Sequence, residues 1–222
     1  MNVIARTLSQ FPLFSELDDR TLDEVAAEVH ERTFPSGQLI TLSHERSRAV
    51  YFIVQGGVRT QRLSFDGREY VLDYLGPGDF FDLVPLLDGK PNVSTAEALA
   101  ETRIYVLPGD RFLQFLHKHK PIAGAVLQHL ATRVRSLSEK VEELALHTVR
   151  TRLARFLLSH IAQNTKPIRQ WTQEEIANHI GTVRDVVGRT LRAFAREGLI
   201  RRERGRLVVI DQSGLRREAQ RE

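Results

Sequence analysis

The spacing of apolar residues changes character along the chain, and each change predicts a different kind of element. Leu22, Val25, Ala26 and Val29 recur at helical intervals behind Asp18 and Asp19, which can cap a helix. They predict a short helix over 17–32. Between 34 and 107 the apolar residues fall instead into short β-rich runs: Leu39–Leu42, Ala49–Val54, Val58–Ser64, Glu69–Leu75, Thr95–Ala100 and Arg103–Leu107. Glycine punctuates them at Pro35-Ser36-Gly37, Gly56-Gly57 and Gly76-Pro77-Gly78, and Asp66-Gly67 between two runs is a hairpin signal. Short strands at this spacing predict a small antiparallel barrel or roll.

From about 110 to 146 the period changes again. Ala123, Leu127, Leu130, Val134, Leu137, Val141 and Leu144 alternate steps of four and three. That is an a/d seam of about three heptads, opened by Pro121 in its first turn. A narrow seam flanked by Arg133, Arg135, Glu139, Lys140, Glu142 and Glu143 reads as a dimer contact; packing within the chain is the alternative.

Beyond 147, Val149, Leu153, Phe156, Leu157 and Ile161 mark one helix. Thr172-Gln173-Glu174-Glu175 is a capping box that opens a second, with Ile176, Ala177 and Ile180 on its apolar face and Gly181 at its end. Thr182 is placed to cap a third, carrying Val183, Val187, Leu191 and Phe194 inward, with Gly198 just past its end. Leu199–Glu203 and Arg206–Ile210 read as a two-stranded wing turning near Arg204-Gly205, and 211–222 as a frayed polar tail.

Composition narrows the chemistry. The chain has 222 residues, 41% apolar and 27% charged, as in an ordinary globular protein of one or two domains. The absence of cysteine excludes disulfides, iron–sulfur clusters, cysteine zinc sites and cysteine nucleophiles. No apolar run reaches the ~18 residues of a membrane helix, and the N-terminus lacks secretory-signal features, so a cytoplasmic protein is expected. No phosphate loop, paired histidine ligands or Gly-x-Ser-x-Gly elbow points to an enzyme.

The net charge of +4 conceals an asymmetry. Residues 1–146 carry 16 Lys+Arg against 20 Asp+Glu, a net of −4; residues 147–222 carry 16 against 8, a net of +8. In the second segment every basic residue but Lys166 is arginine, whose planar fork suits phosphate and guanine. The expected division is 1–110, 111–146 and 147–222.

Two short helices joined by a glycine turn form a helix-turn-helix candidate, in which the start of the second helix faces base edges in the major groove. On that helix Arg184, Asp185, Gly188, Arg189 and Arg192 fall opposite the apolar face. Arginine can bridge guanine O6 and N7, and a carboxylate can accept from cytosine N4. Asp185 also reads as the N3 residue, a favourable place for a carboxylate without DNA. Thr172, Gln173 and Thr182 at the helix starts, with Arg192 and the wing residues Arg202, Arg204 and Arg206, are candidates for phosphate contact; a solvated hairpin is the alternative for the wing.

Tyr51-Phe52-Ile53-Val54-Gln55-Gly56-Gly57-Val58, Tyr74-Leu75-Gly76-Pro77-Gly78-Asp79-Phe80-Phe81, Ser138-Glu139-Lys140-Val141, and Thr172 through Arg189 occur in the order of one family. The chain resembles the Crp–Fnr superfamily of bacterial transcription regulators over nearly its whole length. The resemblance implies an α+β protein: an N-terminal cyclic-nucleotide-binding-type β-roll, a long dimerisation helix with Leu127, Leu130, Val134, Leu137, Val141 and Leu144 in its seam, and a C-terminal winged helix-turn-helix. It implies a homodimer, double-stranded DNA and RNA polymerase as partners, and a base-reading triplet on Arg184, Asp185 and Arg189, with the family's Glu shortened to Asp. The loop Gln163–Arg169 corresponds to an activating surface of the catabolite activator.

The resemblance also implies an effector, and here the chain departs from the pattern. The family's Gly-Glu for the ribose falls on Asp82-Leu83, and its Arg-Ser for the cyclic phosphate on Asn92-Val93. The adenine-contacting threonine is Leu137, beside a retained Ser138. These replacements argue against cyclic AMP, since a phosphate without its arginine loses its charge-assisted partner. Lys90 could serve the anion if the alignment shifts. Missing cysteines exclude the iron–sulfur branch. Haem and cyclic di-GMP stay open, although His117 and His119 do not share a helix face. The implied pocket residues are Phe80, Phe81, Leu83, Asn92, Val93, Leu137 and Ser138. The rival from another class is a ligand-gated, protein-binding regulatory subunit that binds no DNA.

Overall fold

The computed structural model describes residues 2–63, 69–162, 171–203 and 206–220, with the backbone alone at 160–162, 202 and 206. The chain divides into two compact units, Met1–Arg133 and Val134–Glu222. No helix among the described residues is long and apolar enough to cross a membrane.

The first unit opens with α1 (Val3–Leu8), which the apolar pattern did not reveal, and α2 (Asp19–Ala27). Asp18 caps α2 by accepting from the Thr21 N–H at 2.7 Å. The helix expected over 17–32 stops short of its predicted end because His30–Phe34 forms a strand, β1, against a later one. There the need to complete a ladder outweighs the local helical spacing.

The strands β2 (Leu39–Thr41), β3 (Ala49–Gln55), β4 (Val58–Leu63), β5 (Glu69–Leu75), β6 (Phe80–Phe81), β7 (Thr95–Ala98) and β8 (Thr102–Pro108) follow. They make two four-stranded antiparallel sheets, β1-β8-β3-β6 and β2-β7-β4-β5. β4 and β5 pair antiparallel from Val58↔Leu75 to Leu63↔Glu69; Asp66-Gly67 lies outside the described residues. The expected roll is therefore present. Phe34, Ile53, Phe81 and Ile104 of the first sheet meet Val58, Ala96 and Ala98 of the second in one core.

The opposite face of the first sheet packs against helices. Val50, Phe52, Tyr105 and Leu107 join Phe11, Phe14, Leu22 and Val25, together with Phe112 of α4 (Gly109–Lys118) and Ile122 and Val126 of α5 (Lys120–Leu146). A strand covered on both sides reads as an unbroken apolar run, which explains Ala49–Val54. The short α3 (Leu83–Asp88) follows β6. At the β3–β4 turn Gly56 has φ +89, and a Cβ there would stand 2.5 Å from Thr102 Oγ1.

The second unit contains the end of α5, then α6 (Val149–Ala162), α7 (Gln173–Ile180), α8 (Arg184–Arg196), the wing strands β9 (Ile200–Glu203) and β10 (Arg206–Val209), and α9 (Gln212–Ala219). Its core gathers Leu153, Phe156 and Leu157 of α6, Ile176, Ala177 and Ile180 of α7, Val187, Leu191 and Phe194 of α8, and Leu215 and Ala219 of α9. The expected frayed tail is thus corrected: Asp211 caps α9 by accepting from the Gly214 N–H at 2.8 Å, and Leu215 is fully buried. Two apolar residues one turn apart were too thin a signal in a polar stretch.

Candidate nucleic-acid interface

The two helices of the motif are fixed at their ends. Thr172 and Glu175 form the predicted capping box, with the Thr172 hydroxyl accepting from the Glu175 N–H and the Glu175 carboxylate accepting from the Thr172 N–H. Gly181 ends α7 in the left-handed region at φ +67. The last carbonyls of α7 have a partner that sequence reasoning missed. Arg152 of α6, itself buried, donates to the Ile180 carbonyl at 2.7 Å and reaches that of Gly181 at 3.5 Å. A guanidinium there satisfies orphan carbonyls and complements the negative end of the helix dipole. An arginine beside Leu153 on an otherwise basic helix gives no separate signal.

The start of α8 differs from expectation. The Thr182 N–H is taken by the Ala177 carbonyl at 2.9 Å, closing α7, so the next helix begins one residue later. Its cap position is Val183, which offers no side-chain cap and is 44% exposed, not turned inward. Asp185 is therefore the second helical residue, not the third, although still in the first turn where a carboxylate is favoured. At the far end Gly198 has φ +74; its N–H donates to Ala195 and that of Leu199 to Phe194, the hydrogen-bond pair of a Schellman cap.

Between the ends lies one open concavity of about 610 Å³, lined by Gln173, Arg184, Asp185, Gly188, Arg189 and Arg192. It gathers Gln173 with all five residues assigned to the outward face of the third helix. Gly188 is what lets Gln173 in: a Cβ at 188 would stand 3.0 Å from Gln173 Oε1 and 3.5 Å from an Arg192 guanidinium nitrogen. Among the described residues, Arg184, Arg189 and Arg192 make no ion pair. Other arginines of this unit are engaged. Arg150 pairs with Glu197 and Glu218 and lies over the Phe194 ring at 4.8 Å. Arg155 donates to the Ala219 carbonyl, and Arg201 pairs with Glu203. Several arginines of this unit thus brace its interior, whereas Arg184, Arg189 and Arg192 of α8 carry unpaired charge. Thr172 is exposed and Thr182 half-buried. Arg204, the side chains of Arg202 and Arg206, and the loop Gln163–Arg169 lie outside the described residues.

On α5 the seam residues Leu127, Val134, Leu137, Val141 and Leu144 are exposed, whereas Leu130 packs partly against the first unit's core. The implied effector residues of the first unit belong to different layers. Phe80 and Leu83 belong to the helix-facing core, and Phe80 packs on His129 at 4.4 Å. Phe81 stacks on Tyr51 at 4.9 Å inside the roll. Asn92 is buried, Val93 is exposed, and Leu137 and Ser138 lie on α5 beyond the first unit. Asp82, next to Phe81, has φ +61, and burial pushes its carboxyl up to about 6, opposed by the nearby Thr41 hydroxyl.

Comparison with known proteins gives two family matches: a cyclic nucleotide-binding domain over residues 31–119 and a Crp-like helix-turn-helix domain over 151–218. A cyclic AMP receptor protein of Thermus thermophilus is 30% identical, the match covering 89% of this chain and 92% of that protein. A CRP-like cAMP-activated global transcriptional regulator of Mycobacterium tuberculosis is 28% identical over 96% of this chain and 98% of its own. A crp/fnr-family regulator from Eubacterium rectale has the same fold, with a TM-score of 0.81 at 24% identity over 96% of this chain and 100% of that one.

Proposed function

Because this chain belongs to the Crp–Fnr family of transcription regulators, we propose that it acts as a homodimer reading a two-fold-related DNA operator, under a small effector that is not cyclic AMP. The observation that carries the reading is the concavity on α8. Arg184 and Arg189 stand there unpaired with Asp185 between them, over a glycine that leaves the helix surface open. In the proposed complex these three read bases. Thr172, Gln173, Thr182 and Arg192, with Arg202, Arg204 and Arg206 of the wing, hold phosphates. The exposed stripe Leu127, Val134, Leu137, Val141 and Leu144, joined by Leu130, pairs two copies within the segment 111–146. That pairing sets the two recognition helices roughly 34–36 Å apart, one turn of DNA. RNA polymerase is the further partner that the family implies.

The reading against cyclic AMP, an anion, is supported by two departures from the family pattern. The carboxylate of Asp82 and the amide of Asn92 stand at the matching positions. Arg59, the half-buried guanidinium of the second sheet, is held by Glu97 at 2.9 Å. A buried phosphate facing acceptors without a cation bears the full cost of desolvation.

The test is selection from randomised duplexes, followed by titration of the enriched site. A two-fold-related site is expected, with affinity falling steeply as salt rises. Arg184→Ala should relax preference at one guanine per half-site and cost about 1–3 kcal/mol. No enrichment, or an Arg184→Ala protein with unchanged base preference, would sink the reading.

A further inference from the structure

Three charged residues of the second unit stand where their charge costs the element that carries it. Glu197 is the C-cap of α8, at the negative end of the helix dipole, and Arg150 is in the first turn of α6, at a positive end. Glu218 of α9 is 9% exposed, a costly place for a carboxylate. The three are joined. One terminal nitrogen of Arg150 donates to Glu197 at 3.0 Å, the other to the second oxygen of the same carboxylate, and Nε to Glu218. The Arg150 Cζ stands 4.8 Å from the ring centroid of Phe194, a fully buried residue of α8. Further along α6, Arg155 donates to the Ala219 carbonyl at 2.8 Å, so α9 is anchored to α6 at a second point.

A partly buried ion triad is a weak stabiliser, since apolar residues of similar volume commonly do as well. What it adds is direction. The packing of Val187, Leu191 and Phe194 into the core is non-directional. A guanidinium fork on a carboxylate fixes two hydrogen bonds and a plane. The fork grips α8 at the end remote from Arg184. With about 1.5 Å of rise per residue, the 13 residues of α8 put its reading end roughly 20 Å away. A tilt of about 3° at the grip moves Arg184 by about 1 Å, enough to spoil a bidentate contact with a base.

We infer that Arg150 is a positioning residue for DNA reading: through Glu197 it sets the tilt of α8 against α6 and α9, and Glu218 holds the guanidinium in place. This rests on the DNA-reading function proposed above. Because the charge of Arg150 is already engaged, its effect falls on discrimination between sequences and not on general attraction to phosphate.

The test titrates the whole protein with its selected operator and with a scrambled duplex of equal length, at one salt concentration, and reads the ratio of the two affinities. Urea unfolding gives the folded fraction. A merely structural loss scales both affinities together and leaves the ratio unchanged. Arg150→Met should lower the ratio about tenfold, as fits the weakening of one bidentate base contact. So should the triple variant Arg150→Met, Glu197→Gln, Glu218→Met, which leaves none of the three charges unpaired and so keeps the fold. The first variant makes the chain more negative by one charge and the second more positive by one, so a fall common to both is not an effect of net charge. Arg150→Lys keeps the charge without the fork; it should hold stability and still lower the ratio. The inference is overturned by an unchanged ratio in either folded Met variant, or by a ratio in Arg150→Lys equal to that of the natural protein. Should neither Met variant fold, Arg150→Lys decides alone. A natural protein that prefers no duplex overturns the DNA-reading function and this inference with it, whereas a selective natural protein with equally selective variants overturns this inference only.

Discussion

The side chain of Gln173 crowds the place that a Cβ on Gly188 would take, with Oε1 3.0 Å from that point. The two residues belong to different helices of the motif, and their contact sets where the amide lies relative to Arg192. Gly188→Ala would push the amide and the guanidinium aside while giving α8 a better helix former, by roughly 0.5–1 kcal/mol. Melting temperature should hold or rise and operator affinity should fall about tenfold, a shift of about 1.4 kcal/mol. Unchanged affinity in a binding titration would show that the seat of Gln173 has no part in recognition.

Arg152 gives the opposite pattern. Arg152→Leu leaves the Ile180 carbonyl without its 2.7 Å donor in a buried place. Stability of the second unit should drop by about 1–3 kcal/mol in denaturant unfolding. DNA affinity should fall only as far as the folded fraction does.

The raised carboxyl of Asp82 makes a pH prediction with a definite sign. Its folded value of about 6 lies above the ordinary 3.8, so the folded state binds that proton more tightly than the unfolded state. The stabilisation is complete below about 4 and is lost as pH rises through about 6. Of the surrounding groups, Tyr51 stays neutral, its hydroxyl pushed up by burial and by Asp82 and opposed by Arg32 and Arg48. Asp82→Asn removes this dependence. At pH 7.5 the variant should be more stable than the natural protein by up to about 3 kcal/mol, with the gap closing toward pH 4. A constant difference across that range in urea unfolding would refute the assignment.

The α5 seam is tested by charge. Val134 and Val141 are 63% and 65% exposed, so Val134→Glu with Val141→Glu costs the single chain little. Two acidic residues facing their own copies would oppose pairing. Sedimentation should show a dimer for the natural protein and a monomer for the double variant, with operator affinity reduced in parallel.

Gly56→Ala tests the turn between β3 and β4. The new Cβ meets Thr102 Oγ1 at 2.5 Å and the Glu101 carbonyl at 2.6 Å, on a backbone at φ +89. Destabilisation of about 2–4 kcal/mol is expected in thermal unfolding of the first unit, with the second unit unaffected.

What the sequence disclosed follows from how local each signal is. Strands β2 to β5, β7 and β8 were legible because apolar runs between turn residues record their own burial. β1 was not: of its residues only Phe34 is buried, and its strand character comes from pairing with β8, far along the chain. On α8 a single period of 3.6 was enough to place Arg184, Asp185, Gly188, Arg189 and Arg192 on one face. Thr182 misled because a good capping residue also stood where α7 needed one more donor. Arg152 and the fit of Gln173 over Gly188 depend on contacts between helices, which no periodicity carries. Asp82 and Asn92 were visible as departures from a familiar pattern, but the burial that raises the Asp82 carboxyl was not.

The packing of α9 has a bearing on how the protein is made. Leu215 and Ala219 lie in the same core as Leu153, so α6 must wait for residues synthesised some sixty positions later before its apolar face is covered. Closing so long a loop adds entropy that a local helix pair would not bear. A released chain cut after the wing would lack Leu215 and Ala219 and so hold its recognition helix on an incomplete core.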